Sequence, residues 1–379
     1  MSSLPGEPAA PLRWYIGLMS GTSLDGIDGV IGRFSDQECA VAHHASAPFA
    51  PDLRAELLAL NTPGPNELHR AALAGNALAR AYAAVVDALL KASGLPSSEV
   101  NAIGAHGQTV RHQPALFDGT GYTLQIGNAA LLAECTGIPV VADFRSRDLA
   151  AGGQGAPLVP AFHQRVFGKP GETVCVLNVG GISNLSILEP EGNVRGFDCG
   201  PGNALMDHWC LRHTGRPYDD AGAWAATGAV LPPLLEVLLA EPFLRQSPPK
   251  STGRDLFNAD WLTTRLAPFT EAPPPDVQAT LTEFTARACA RDVERHAPSS
   301  RLLIVCGGGA FNTHLMDRLR ALLPSHRVES SALHGLPPLQ VEAAAFAWLA
   351  RQAVERQPGN LPSVTGAQGL RVLGAIHPA

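Results

Sequence analysis

The stretch YIGLMSGTSLDGIDGVIGRF, residues 15–34, places a turn of small polar residues between two apolar, strand-like segments. The turn, SGTSLDG (20–26), contains glycines that allow close backbone approach, hydroxyls that suit a phosphate and a carboxylate that suits hydrated Mg²⁺. An ordinary polar hairpin turn uses the same residue types. The turn has neither the lysine of a Walker A loop nor the G-x-S-x-G spacing of a nucleophile elbow.

The same plan returns in TVCVLNVGGISNLSIL, residues 173–188. Gly180 and Gly181 permit a nest of backbone N–H groups, and Asn178, Ser183 and Asn184 supply hydrogen-bond donors. A polar hairpin turn is again the alternative. Two such turns, each near the start of a lobe, predict a cleft that holds a triphosphate from both sides.

Three consecutive glycines in CGGGAFN, residues 306–312, join an apolar strand to a helix. The absence of side chains at this junction suits a flat ring or a phosphate lying on the backbone. A tight strand-to-helix turn is the alternative. The spacing is not the G-x-G-x-x-G fingerprint, so it does not indicate NAD.

Two acids are candidates for chemistry. Asp198 lies in the rigid Gly/Pro framework GFDCGPGN (196–203), which suits either a general base or a cap for the following helix. Glu342 opens an otherwise apolar helix, where an acid usually serves the helix N-terminus. Polar residues after strands tend to line clefts in α/β sheets, and this chain has several of them: His106, Gln108, Thr109, Arg145 and Arg147.

Composition narrows the class of protein. Apolar residues make up 45% and charged residues 16%, as in a globular chain, and the net charge of -6 argues against a nucleic-acid binder. The seven cysteines have no C-x-x-C spacing, which favours reduced thiols in the cytoplasm. The N-terminus lacks a signal-peptide pattern, and no apolar run reaches the length of a membrane span, so we expect no membrane partner.

Apolar periodicity predicts an α/β chain. Helices are expected over 51–60, 66–93 and 340–355, and a strand followed by a glycine loop over 100–112. A Gly/Pro-rich crossing between lobes is expected over 145–163, and a loop returning to the body in the C-terminal tail.

Together these motifs resemble those of one family, the anhydro-N-acetylmuramic acid kinases. The segments that carry the resemblance cover nearly the whole chain, in this order: GLMSGTSLDGID, HGQTVRH, QIGNAALLAECTGIPVVADFR, AAGGQGAPLVPAFH, NVGGISN, GFDCGPGNALMD, STGRDLFN, CGGGAFN and GNLPSVTGA. No single motif is specific, but their order is.

The resemblance implies an α/β, two-domain actin-like ATPase fold, with two ribonuclease H-like domains around a central nucleotide and substrate cleft. Residues 1–12 would form a disordered extension. The N-terminal domain (13–148 with 365–379) would carry the first phosphate loop. The C-terminal domain (149–364) would carry the second phosphate loop and the adenosine site.

The resemblance also implies roles for individual residues. ATP would contact the two phosphate loops and the adenosine bed: Gly21, Thr22, Ser23, Leu24, Asp25, Gly26, Ile27, Asp28, Asn178, Gly180, Gly181, Ser183, Asn184, Gly307, Gly308, Gly309 and Asn312. Asp25 would hold Mg²⁺, directly or through water. The sugar would contact a second group: His106, Gln108, Thr109, Arg147, Gly200 and Asn203.

The implied activity is conversion of 1,6-anhydro-N-acetylmuramic acid and ATP to N-acetylmuramic acid 6-phosphate, in peptidoglycan recycling, by a cytoplasmic homodimer. Asp198 would deprotonate a water that attacks C1 while O6 takes the γ-phosphoryl group, and Glu342 would help to orient that water. Two alternatives stay open: a conventional sugar kinase of the same superfamily, and a non-catalytic ATP-switched module like the nucleotide-binding domain of Hsp70.

Overall fold

The computed structural model describes residues 13–21, 24, 26–35, 39–253 and 256–379. Three expectations fall outside these described residues. They are the disordered extension at 1–12, the roles of Thr22, Ser23 and Asp25 in the first turn, and the middle of the STGRDLFN motif at 254–255.

Strands and helices alternate along the chain, as the α/β pattern predicts. The strands are β1 (Arg13–Met19), β2 (Gly26–Phe34), β3 (Cys39–Pro48), β4 (Val100–Ala105), β5 (Gln108–Pro114), β6 (Gly121–Ile126), β7 (Val140–Ala142), β8 (Val174–Val179), β9 (Ile182–Leu188), β10 (Val194–Pro201), β11 (Leu302–Cys306), β12 (Arg327–Ser330) and β13 (Ala375–His377). The helices are α1 (Pro51–Ala59), α2 (Glu67–Ser93), α3 (Ala129–Thr136), α4 (Ser146–Ala150), α5 (Val159–Phe167), α6 (Ala204–Thr214), α7 (Pro232–Leu239), α8 (Ala259–Leu266), α9 (Pro274–His296), α10 (Thr313–Leu322), α11 (Val341–Val354) and α12 (Pro362–Thr365).

Two sheets repeat one topology. The first has the order β13-β7-β4-β1-β2-β3, and the second has the order β10-β9-β8-β11-β12. In each, three antiparallel strands that follow one another in the chain (β1–β3, β8–β10) are extended by two strands parallel to the first of them. The first sheet has a sixth strand, β13, at its edge, antiparallel to β7. This duplicated arrangement confirms the α/β fold of two ribonuclease H-like lobes.

The central strands of the second sheet are apolar because helices cover both faces. β8 and β11 are buried along their whole length, as expected for strands covered on both sides. On one face they pack with residues of α9 and α10, and on the other with residues of α5 and α11. The carboxyl ends of β8 and β11 lie at the edge of the sheet that carries the glycine turns.

Helix α11 lies against the first sheet, although the sequence placed it in the second lobe (149–364). Gly17 of β1 and Gly104 of β4 are register partners, and a Cβ on either would overlap a backbone carbonyl of α11, that of Ala343 or Phe346. One apolar core surrounds α11 and includes residues from both sheets, such as Ala102 of β4 and Ile304 of β11. The two lobes are thus joined by a shared core as well as by the chain.

Helix α2 is, among the described residues, the one helix that is long and apolar enough to cross a membrane by length and composition. Its buried face, which includes Tyr82, Val85 and Leu89, packs in the core beneath β1 and β2. This is the arrangement of a core helix.

Candidate active site

Three polar residues form a row across the second sheet. Asn178 of β8 pairs with Asn184 of β9, which pairs in turn with Asp198 of β10. Directly paired residues of antiparallel strands share one face, so the three side chains lie side by side next to the Gly180–Gly181 turn. The Asn184 Oδ1 atom is buried and accepts no hydrogen bond from the described residues.

A β-bulge sets the direction of the Asp198 side chain. The β9–β10 register shifts between Asp198 and Gly200, and Gly200 has a φ of 145°. Bulges next to active sites commonly redirect a side chain. The buried Ser183 hydroxyl lies 3.1 Å from the carbonyl oxygens of both Gly200 and Pro201, so its side chain supports the bulge.

Asp198 is held at two points by the segment that precedes α8. The Thr252 N–H donates to Asp198 Oδ2 at 2.9 Å, and the Asp198 N–H donates to the Lys250 carbonyl at 3.1 Å. The carboxylate therefore binds this segment and does not cap α6, which answers the alternative raised by the sequence. Thr252 belongs to STGRDLFN, a motif that carried the resemblance but had no role assigned to it.

Burial raises the pKa of Asp198 to about 7, although the Thr252 N–H, Arg145 and Lys250 each lower it. A carboxylate with a pKa near the working pH can accept a proton in a transition state and release it afterwards. Asp198 is therefore suited to general-base catalysis at neutral pH.

Arg145 links Asp198 to the first lobe. It donates through Nη2 to His106 Nε2 at 2.9 Å and through Nη1 to the Gly155 carbonyl at 2.8 Å. Burial lowers the pKa of Arg145 to about 10, and the charges of Glu342 and Asp198 oppose that shift. Arg145 stays a cation at neutral pH, and its charge interacts with acidic residues from different elements, Glu342, Asp198 and Asp148.

Arg147, which the resemblance assigned to the sugar, is exposed on α4. Arg145 was recognised in the sequence only as one of several polar residues near the cleft. The two arginines differ in their position along the chain. Arg145 lies between the short strand β7 and α4, whereas Arg147 lies within α4.

His106 is buried, and burial together with the Arg145 charge lowers its pKa to about 3. A guanidinium can only donate, so Nε2 of His106 is the acceptor and the proton of the neutral ring lies on Nδ1. The His106 ring packs 4.8 Å from that of Phe346 on α11. His106 is therefore a fixed, neutral hydrogen-bonding group.

The segment that follows β4 is tied to the first turn. The His106 N–H donates to the Leu18 carbonyl at 3.0 Å, and the Gln108 amide donates to the Gly21 carbonyl at 3.2 Å. The Ser20 hydroxyl donates to the Gly107 carbonyl at 3.0 Å. The predicted sugar segment and the first phosphate turn are thus one connected unit.

Other predicted residues of this lobe are engaged within the protein. Leu24 and Ile27 are buried in the core beneath the first sheet, and Gly26 lies in the β2–β3 pairing. Asp28 accepts a hydrogen bond from His44 at 3.0 Å, and the Thr109 hydroxyl accepts one from Gln125 at 3.1 Å. Because their side chains are buried, Leu24 and Ile27 could contact a ligand only through backbone atoms.

The second turn, the following Gly-Pro-Gly turn and the three glycines form one surface. The Gly180 carbonyl accepts from the Asn203 N–H at 2.8 Å, and the Asn203 amide donates to the Val179 carbonyl at 3.1 Å. Gly307 has a left-handed φ of 77°, and a Cβ on Gly309 would overlap Val179. Positions 307 and 309 therefore require glycine.

Gly180 and Gly308 are less tightly enclosed than Gly307 and Gly309. A Cβ on Gly180 would lie 3.6 Å from its nearest neighbour and one on Gly308 3.5 Å, which are ordinary van der Waals distances. The Asn312 side chain accepts from the Leu315 N–H at 2.9 Å and so caps α10. The glycine surface therefore presents backbone without side chains beside a helix N-terminus, which suits an anionic or flat ligand.

Duplicated ribonuclease H-like lobes with glycine turns at the strand ends define a protein of the actin-like ATPase fold class. The sequence model of the anhydro-N-acetylmuramic acid kinase family matches residues 13–379. A relative with that name from Variovorax paradoxus (strain S110) is 67% identical and covers 96% of this chain and 99% of its own length. Another, from Albidiferax ferrireducens, is 62% identical with coverage of 96% and 99%. This chain belongs to the anhydro-N-acetylmuramic acid kinase family.

Similarity to solved structures is more remote. The activator of the 2-hydroxyisocaproyl-CoA dehydratase from Clostridium difficile has a TM-score of 0.47 and 12% identity, with coverage of 91% of this chain and 96% of its own. A ROK family glucokinase from Streptomyces griseus has a TM-score of 0.41 and 16% identity, with coverage of 90% and 100%. Nothing further is inferred from these matches.

Proposed function

We propose that this chain uses ATP to open the 1,6-anhydro bridge of 1,6-anhydro-N-acetylmuramic acid and to phosphorylate O6, giving N-acetylmuramic acid 6-phosphate in peptidoglycan recycling. Family membership supports the substrate. The observation that carries the chemistry is Asp198, a half-buried carboxylate with a pKa of about 7 at the glycine-lined edge of the second sheet.

The substrate lacks a free 6-hydroxyl, because O6 is bonded to C1. A water oxygen forms a bond to C1, the C1–O6 bond breaks, and O6 takes the γ-phosphoryl group as ADP leaves. One water proton passes to Asp198, and the other stays on the new C1 hydroxyl. A positioned base contributes about 10²–10⁴-fold in such a step, and alignment of the reacting atoms supplies much of the rest.

Arg145, His106 and Glu342 complete the sugar side of the site. We assign Glu342 to orientation of the water, and Arg145, in place of the exposed Arg147, to the acidic side of the sugar. A guanidinium suits the lactyl carboxylate of this substrate, and the buried Arg145 Nε has no hydrogen-bond partner among the described residues. Further sugar contacts are assigned, as the resemblance implies, to Gln108, Thr109, Gly200 and Asn203.

ATP would lie between the first turn (20–28) and the glycine surface of the second lobe. Gly180 and Gly308 fit this role, since neither presents a side chain and neither is tightly enclosed by its neighbours. No group of three His, Cys, Asp or Glu side chains that could hold a metal occurs among the described residues. We assign Mg²⁺ chiefly to the phosphate oxygens, with Asp25, which lies outside the described residues, as its protein ligand. Bound Mg²⁺ would neutralise charge on the transferring phosphoryl group.

The proposed lobes are 13–148 with 365–379, and 149–364. The second lobe contributes α11, and with it Glu342, to the first sheet. We also propose that the protein is cytoplasmic and homodimeric. Seven free cysteines support a reducing compartment. Light scattering of the purified protein tests the dimer.

The test of the activity is incubation with ATP, Mg²⁺ and the anhydrosugar in ¹⁸O-labelled water, read at once by mass spectrometry. The expected product is a sugar 6-phosphate with one ¹⁸O at C1. N-acetylmuramic acid, N-acetylglucosamine and glucose serve as acceptors with a free 6-hydroxyl. A preference for these acceptors would support the conventional sugar kinase, and no ATP consumption with any sugar would support the ATP-switched module.

A further inference from the structure

Lys250 is an unusual residue next to the proposed base. Its backbone carbonyl binds the Asp198 N–H, while its side chain enters the interior of the second lobe. There Nζ lies 3.0 Å from Asp292 Oδ2, with side-chain exposures of 0% for Lys250 and 5% for Asp292. Nζ also lies 5.0 Å from the ring centroid of Phe243 and 5.6 Å from that of Phe197, the residue before Asp198.

A buried ion pair of this kind is poor evidence of a stabilising role. The desolvation of both charges offsets their attraction, and apolar residues of similar volume often replace such pairs without loss of stability. The pair joins two elements, α9 and the segment before α8, and that segment makes both backbone hydrogen bonds to Asp198. Its location therefore points to a role in the site.

We propose that Lys250 and Asp292 form a positioning pair that fixes residues 250–252 against Asp198. The inference rests on the proposed role of Asp198 as the base. Lys250 acts through Asp198 and the segment around it, and it contacts neither ATP nor the sugar.

Charged groups reach Asp198 from several elements. Arg145 approaches from the first lobe and Lys250 from the segment before α8, and both cations lower the pKa of Asp198 against the effect of burial. On α9, Asp292 pairs with Lys250, and His296 Nε2 lies 3.8 Å from Asp292 Oδ1. Glu342 of α11 acts on Arg145. Loss of the Lys250 charge removes one of the two cations and leaves the buried Asp292 without its partner, and both changes favour the neutral carboxyl of Asp198.

The test compares Lys250→Met, which removes the charge, with Lys250→Arg, which retains it. In Lys250→Met we expect kcat for the anhydrosugar to fall about tenfold or more at neutral pH, with little change in the KM for ATP. The acidic limb of kcat/KM should move to higher pH, since the Thr252 hydrogen bond and the Lys250 charge both lower the pKa of Asp198 and the variant weakens both. Lys250→Arg should keep the limb near its wild-type position.

The matched control is Arg318→Met, which breaks another ion pair to helix α9, between Arg318 Nε and Glu283 Oε2 at 2.6 Å. It should leave the acidic limb in place whatever it does to stability. A limb unchanged in Lys250→Met, or moved equally in Arg318→Met, overturns the proposal.

A second measurement separates this proposal from the assignment of the base. The pH dependence of unfolding is compared between each protein and the same protein carrying Asp198→Asn, which reports the Asp198 ionisation without activity. Wild-type turnover in Asp198→Asn would defeat the base assignment. An Asp198 ionisation that is the same with Lys250 and with Lys250→Met would defeat the positioning pair.

Discussion

The residue proposed as the base, Asp198, also works against the stability of the fold. Its pKa in the folded protein, about 7, lies above the ordinary value of 3.8 because of burial. The native state therefore favours the neutral carboxyl. Protonation of Asp198 therefore stabilises the folded state. This stabilisation is complete below about pH 4 and is lost as the pH rises through about 7.

The substitution Asp198→Asn should make this conflict visible. Near pH 4 the free energy of unfolding should be close to wild type, and near pH 8 it should exceed wild type by about 2 kcal/mol, because the amide cannot ionise. Turnover should fall about 10²–10⁴-fold. Urea unfolding at the two pH values measures the first effect. A stability difference that is the same at both would show that burial does not oppose ionisation here.

Arg145 and Arg147 provide a direct comparison between site and surface. Arg145→Met should lower kcat/KM for the anhydrosugar by about tenfold or more, since hydrogen bonds to charged groups are worth roughly 1.5–3 kcal/mol. Because the Arg145 charge lowers the pKa of Asp198, the acidic limb should also move to higher pH. Arg147→Met should leave kcat/KM within about twofold, as expected for an exposed side chain. Steady-state kinetics across pH measures both effects. A larger loss of kcat/KM in Arg147→Met than in Arg145→Met would support Arg147 as the sugar ligand.

At the scale of single residues, the sequence indicated candidate residues but not the residues that they contact. Asp198 was singled out because a Gly/Pro framework surrounds it, and that framework is the observed bulge. The ties from Thr252 and Lys250 come from a segment about fifty residues further along the chain, and no local pattern marks such a contact. Ser183 was expected to serve the nucleotide, whereas its buried hydroxyl lies against the bulge carbonyls.

At the scale of elements, the close approach of α11 to the first sheet depends on glycine. Gly17 and Gly104 sit side by side on β1 and β4, directly below the backbone of the helix. The added methyl of Gly104→Ala would displace α11 and should lower the free energy of unfolding by about 1–3 kcal/mol, the usual cost of overpacking. Gly64→Ala is the control, because a Cβ there meets only the flexible end of the Arg70 side chain. Equal unfolding midpoints for the two variants in urea would mean that the helix can shift freely.

Elements with a strong local pattern were predicted well. The repeated strand–turn–strand plan gave both hairpins, and the helices expected at 51–60, 66–93 and 340–355 occur at 51–59, 67–93 and 341–354. The glycine loop expected after β4 is instead a turn into β5, which pairs with β6. The C-terminal tail, expected as a loop, includes β13, whose pairing with β7 joins distant parts of the chain. Local sequence carries little information about such pairings.

At the scale of the whole molecule, the passage between the lobes is firmly tied. The buried Asp148 accepts hydrogen bonds from Asn360 and Thr365 through Oδ1 and from the Gly155 N–H through Oδ2, each at 2.8 Å. The Gln154 N–H donates to the Thr365 carbonyl at 2.8 Å as well. The two chain segments that would connect the proposed lobes therefore meet at one buried carboxylate, and we propose that it serves as a fixed pivot for closure of the cleft.

Closure around this pivot should leave a defined pattern in hydrogen exchange. With a non-hydrolysable ATP analogue and the anhydrosugar together, we expect slower exchange both in the first lobe, at 104–109, and in the second, at 178–184 and 307–309, because ligands held from both sides order both glycine-lined edges. Residues 148–155 should exchange at the same rate with and without ligands, since their hydrogen bonds do not depend on the cleft. The analogue alone separates nucleotide binding from closure. If protection appears in only one lobe with both ligands present, the two turns do not grip a common ligand, and the duplicated topology is then a feature of the fold without a shared role in catalysis.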